Sequence, residues 1–125
     1  LGLPRLYIRV PMQSGSPDDF DMHAGRLETS MVLASDPELV KSGDFSGLGS
    51  DRARGRLAAS YRGFEHLRPE GGAVLTGWVT SDYTEDGVIG DPSGANAEEG
   101  QQNLEWLIQK VCDYLREIAR FEYKE

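Results

Sequence analysis

The sequence predicts an α/β fold, and three observations carry that prediction. Leu6, Ile8 and Val10 alternate with Tyr7 and Arg9, the period-two pattern of a short strand. Ala73–Thr80, AVLTGWVT, is a second apolar and β-branched run of strand length. Leu104, Leu107, Ile108, Val111, Cys112, Leu115, Ile118 and Ala119 recur at helical spacing near the carboxyl end.

The elements follow in order. Pro11 stops the first strand, and the Ser-, Gly-, Pro- and Asp-rich segment Gln13–Asp19 reads as a loop. Loops leaving the end of a strand are where α/β proteins usually place their chemistry. From about Gly25 to Ser35 the residues favour a helix, with Leu27, Met31 and Ala34 on one face. Pro37 ends it, because the residue before a proline avoids the helical region. Glycines at 43, 47, 49, 55 and 63 break the stretch from Lys41 to Gly72, which leaves room for a short helix over Ala53–Tyr61. Gly71-Gly72 leads into the second strand, which carries Gly77 in its middle. A polar loop then ends in Gly87-Val88-Ile89-Gly90-Asp91-Pro92, and Gly90-Asp91-Pro92 reads as a tight turn. Asn96, with Glu99 three residues later, is a start signal of capping-box type for an amphipathic helix of about seven turns. Two short strands do not make a self-sufficient core, so the chain is expected to need more sheet than it owns.

Composition narrows the function classes. A chain of 125 residues is expected to form one domain. Thirteen Lys+Arg against 21 Asp+Glu give a net charge of −8, which repels phosphate backbones and argues against nucleic acid as a partner. Arg52, Arg54, Arg56 and Arg62 are the densest basic group, expected to be a solvated face or an interface for an acidic neighbour. Cys112, the single cysteine, excludes an internal disulfide and is expected as a small buried hydrophobe. No apolar run reaches membrane-spanning length and no signal-peptide pattern opens the chain, so the expected setting is cytoplasmic. The first residue is Leu, which hints at a processed, truncated or incomplete chain.

The chemistry-bearing stretch is Asp21–Val40, DMHAGRLETSMVLASDPELV. It sets His23 just before a helix and Glu28 one turn into it, a pair suited to acid–base or metal-assisted hydrolysis. Five residues apart on one helix they would face different directions, so convergence requires His23 to lie off the helix or at its cap. Thr29 and Ser30 are expected to satisfy helix backbone, since no base is placed to activate a hydroxyl. Asp18, Asp19 and Asp21 lack calcium-loop spacing and read as a solvated acidic loop.

The string HAGRLETSMVLASDPELV resembles the creatininase family, creatinine amidohydrolase and its relatives. The matching residues are His23-Ala24-Gly25, Glu28-Thr29-Ser30 and Pro37-Glu38-Leu39-Val40. A second block, GVIGDPSGANAEEG at Gly87–Gly100, resembles the family's segment that leads into its last helix. The resemblance runs from about Leu6 to Ile118 and is to the family's C-terminal half, so residues 1–125 are expected to be that half of a creatininase-like domain. It implies part of a three-layer α/β/α fold with a largely parallel sheet, in an oligomer. It also implies hydrolysis of a non-standard amide C–N bond, in a cyclic amide, a formamide or a peptide-like amide. The implied cofactor is a dinuclear divalent metal centre of zinc, manganese or iron. Most ligands of that centre belong to the family's first half, to be supplied by a companion chain or by a missing segment. On this resemblance His23 is the catalytic residue and Glu28 a metal residue. Met22 stands where the creatinine-hydrolysing members place a Glu, and Asp19 where they carry a Trp, so creatinine itself is disfavoured as substrate. The competing expectation is a non-catalytic binding or assembly subunit built from the same fold.

Overall fold

The computed structural model describes residues 8, 22–41, 50–69 and 73–122. The first predicted strand and the acidic loop at Asp18, Asp19 and Asp21 lie outside these residues, apart from Ile8, which is exposed. Among the described residues the fold is mixed α/β, with three α-helices and one small parallel strand pair.

Helix α1 spans Arg26–Ser35. Gly25 caps it in an extended conformation, and Glu28 in its first turn complements the positive end of the helix dipole. Its end matches the expectation from Pro37. The Ser35 hydroxyl turns back to the Met31 carbonyl at 3.0 Å, and a 3₁₀ turn over Pro37–Leu39 follows.

Helix α2 spans Ser50–Tyr61, three residues longer at its start than the sequence suggests. Ala53, Leu57 and Tyr61 repeat every four residues, so they share one face, and all three are buried. With Met22 and Ile89 they form the core, against which Leu67, Trp78 and Tyr83 pack. Gly63, at φ +84°, turns the chain away from the helix in a conformation that glycine adopts without a Cβ penalty. The arginines of this helix are not simply a solvated face. Arg54 reaches Asp91 at 3.9 Å, and the Arg56 guanidinium donates to the Tyr83 carbonyl at 3.4 Å.

Strands β1, Leu67–Arg68, and β2, Val74–Leu75, pair in parallel with Leu67 opposite Val74. The predicted strand Ala73–Thr80 is therefore corrected to two residues. Beyond Leu75 the ladder has no partner among the described residues, Gly77 contributes no side chain, and by Thr80 the chain has entered a second 3₁₀ turn. The Val79 N–H is taken by the Asp82 carboxylate at 3.0 Å, a local bond that competes with sheet pairing.

Helix α3 spans Ala97–Ile118. Its 22 residues make about six turns and a rod of about 33 Å. The expected capping box forms only in half. The Asn96 side-chain oxygen accepts the Glu99 N–H at 2.9 Å, as predicted. The reciprocal bond is replaced by contacts to α1, where the Asn96 N–H donates to the Ser30 hydroxyl at 3.1 Å and the Glu99 carboxylate takes the Arg26 guanidinium at 2.8 Å. Gly100 lies against the Ser30 backbone, so the two helices meet at their closest over a glycine. Ten residues of α1 cover only about 15 Å of α3, which leaves Ile108 and Leu115 more than half exposed. Cys112 is half-buried on the same helix.

Candidate active site

The site is built where the two sequence blocks meet, and backbone hydrogen bonds join them. The His23 carbonyl accepts two donors, the Ile89 N–H and the Gly90 N–H, each at 3.1 Å. Ile89 is wholly buried in the core, so this pair of bonds ties the turn that precedes α1 to a fixed point. The tight turn lies just after Gly90-Asp91-Pro92 rather than on it, at Pro92–Ala95, where the Ala95 N–H returns to the Pro92 carbonyl and Asp91 Oδ1 accepts the Ser93 N–H at 2.9 Å. Hydrogen bonds from Ser93, and then the Arg54 charge, hold the Asp91 carboxyl below its usual range. No motif in the residues links that turn to His23. Two backbone N–H groups in a glycine-containing loop leave no side-chain signature.

His23 and Ala24 both sit in the left-handed region, at φ +54° and +59°. This lifts His23 off the helix, the condition the sequence set for it. The conformation costs a non-glycine residue about 1–2 kcal/mol, and such strain persists only where surrounding bonds enforce it. Here they do, through the bonds to the His23 carbonyl and through the Ala24 N–H, which donates to Glu28 Oε2 at 2.6 Å. Ala24→Gly is therefore expected to stabilise the fold. The relief of about 1–2 kcal/mol exceeds the extra backbone entropy of glycine, about 0.5–1 kcal/mol, so thermal unfolding should shift upward by a few degrees. A lowered melting temperature would show that the turn is not strained.

The side chains of His23 and Glu28 take separate directions. The exposed His23 ring packs edge-to-face with Trp78, centroids 5.3 Å apart at 78°. Glu28 folds back on its own helix start and, with Ala24 and Thr29, lines an open apolar cleft of about 780 Å³ that is also lined by Val88, Pro92 and Leu104. Thr29 and Ser30 satisfy backbone, as expected: the Thr29 hydroxyl donates to the Ala24 carbonyl at 3.4 Å and Ser30 serves α3. The second histidine, His66, is exposed at the surface beside Glu65 and takes no part.

Trp78 is the site residue that sequence reasoning missed, because it was read as one more apolar position in a strand. Its indole N–H donates to the Pro69 carbonyl at 3.2 Å, and Tyr83 packs edge-on at 5.7 Å. The Tyr83 hydroxyl is 3.3 Å from that of Tyr61, which is also bonded to the Thr76 hydroxyl. Burial first, then the Tyr61 hydrogen bond, push the Tyr83 phenol up to about 12, so it stays protonated across the neutral range.

The described residues do not by themselves make a metal centre, since no group of three or more His, Cys, Asp or Glu side chains is gathered among them. No helix among them is long and apolar enough to cross a membrane.

No curated protein and no solved structure matches the chain significantly. The family comparison is positive. Residues 5–115 match the family model of creatininase, described as creatinine amidohydrolase, and that span includes both sequence blocks that the backbone joins at His23. With nearly its whole length matched, the chain belongs to the creatininase family.

Proposed function

We propose that this chain is the C-terminal portion of a metal-dependent amidohydrolase that cleaves a non-standard amide C–N bond, in a cyclic amide, a formamide or a peptide-like amide. The creatininase family is metal-dependent, and the metals bound by such a centre activate water and polarise the amide carbonyl. The observation that carries the reading is the junction of the two family blocks at the His23 carbonyl, which sets an exposed imidazole at a strained, fixed turn. In this reading His23 passes a proton to the departing nitrogen. Glu28 uses one oxygen on the Ala24 N–H and has lone pairs left to offer a metal whose other ligands lie outside the described residues. Those ligands come from a companion chain or an N-terminal half, which would also cover the exposed Val74, Leu75 and Val79 and complete the three-layer sheet in an oligomer. The substrate is a small molecule, the setting is cytoplasmic, and neither nucleic acid nor membrane is a partner.

A non-catalytic assembly subunit is the second reading. The Glu28 bond to Ala24 favours it, because a carboxylate committed to capping its own helix needs no metal.

Native mass spectrometry with metal analysis of the purified natural complex separates the two. A second chain with two transition metals per pair is expected for the hydrolase, and a well-folded assembly without metal would establish the subunit reading. In the metal-loaded complex, Glu28→Gln is expected to weaken metal affinity by at least about tenfold, the smallest loss usual even for a partner that only orients a metal ligand. Full metal content and full rate in that variant would leave Glu28 as a helix cap alone.

A further inference from the structure

We propose that Trp78 is the positioning residue that sets the orientation of the His23 imidazole; the inference rests on His23 as the proton-transfer group. The backbone of His23 is pinned at its carbonyl by Ile89 and Gly90, and the next N–H is held by Glu28. What remains free is rotation of the side chain. Among the described residues the imidazole nitrogens make no hydrogen bond or ion pair, and the ring packs edge-to-face on Trp78.

Trp78 is suited to that task because it is itself held at two points. The indole N–H on the Pro69 carbonyl fixes one edge of the ring, and Tyr83 packs against it at 73°. Tyr83 is tied through its hydroxyl to Tyr61, a buried residue of α2. A line of contacts thus runs from the core helix through Tyr83 and Trp78 to an otherwise exposed imidazole. A proton donor displaced by an ångström from its acceptor loses much of its effect, so a wall that limits the ring's rotation matters to rate more than to binding. Trp78 touches no reacting atom in this account; it acts through His23.

The test is made on the assembled, active protein with ¹³C-labelled histidine. His23 and His66 are the two histidines of the chain, and His66, exposed beside Glu65 and without a ring contact among the described residues, is the internal reference. The expected result is a His66 ring signal at the position of a free histidine and a His23 signal displaced by the Trp78 ring current. Trp78→Leu is expected to collapse that displacement and to lower kcat about tenfold while KM changes little. Trp78→Phe, which keeps an aromatic wall, should restore most of both. A wild-type His23 signal at the free-histidine position overturns the proposal without any variant having to fold. So does Trp78→Leu with unaltered kcat, when His23→Ala in the same assembly is inactive. If His23→Ala itself is fully active, the proton-transfer reading fails, and the role assigned to Trp78 fails with it.

Discussion

Gly100→Ala is expected to destabilise the chain by about 3 kcal/mol, although alanine is the better helix former by about 1 kcal/mol. The reason is distance. A Cβ built at Gly100 falls 1.8 Å from the Ser30 carbonyl oxygen and 2.3 Å from its carbonyl carbon. Both are backbone atoms of α1, so no side chain can swing aside. The helices must separate, and separation breaks the Asn96 N–H bond to Ser30 and the Arg26–Glu99 pair together. The exposed ion pair contributes little, about 0–1 kcal/mol, so most of the loss is packing and the buried hydroxyl contact. A fall of about 10–15 °C in the melting temperature is the expected readout. Gly55→Ala is the matched control. Gly55 lies within α2 and a Cβ there meets nothing within 4 Å, so the same substitution should stabilise by up to about 1 kcal/mol. If both variants melt alike, the close approach of α1 and α3 is wrong.

On the proposed hydrolase function, His23→Ala in the assembled protein is expected to lower kcat about a hundredfold, which is about 2.7 kcal/mol of transition-state stabilisation. Stability should hardly change, because the ring is exposed and alanine meets the same left-handed strain at φ +54°. His23→Asn refines the result. Asparagine tolerates that backbone region better than alanine and has a polar side chain, but it cannot exchange a proton near neutrality. A loss shared by both variants, with unfolding curves unchanged, assigns the effect to proton transfer. Turnover close to the parent in either variant would remove His23 from the mechanism.

Much of this arrangement was legible in the residues alone. The stop of α1 at Pro37 and the start of α3 at Asn96 were readable because proline sterics and capping hydrogen bonds act over a few residues. The helical spacing from Leu104 to Ile118 was equally plain. His23 and Glu28 were marked by their side-chain chemistry and by the family resemblance. His23 meets the condition set for convergence, lying off the helix rather than at its cap, yet its side chain and that of Glu28 take separate directions. The strand at Ala73–Thr80 failed for the opposite reason. Strand length depends on a partner, and among the described residues β1 presents two residues to β2.

What the sequence by itself determined is therefore local or chemical: where the helices begin and end, which family the two blocks resemble, and which side chains can move a proton or bind a metal. What only the tertiary structure decided is how those parts meet. The half-formed cap at Asn96 is completed by a serine 66 residues away, a pairing that no capping rule contains. The second block reaches His23 through the N–H groups of Ile89 and Gly90, and every non-proline residue owns an N–H. Trp78 stands against His23 across 55 positions of chain, held there by a proline carbonyl and a tyrosine. The physical reason is the same in each case. Backbone donors and packing surfaces are common to nearly all residues, so their partners are chosen by the folded path of the chain and leave no mark on composition, period or motif.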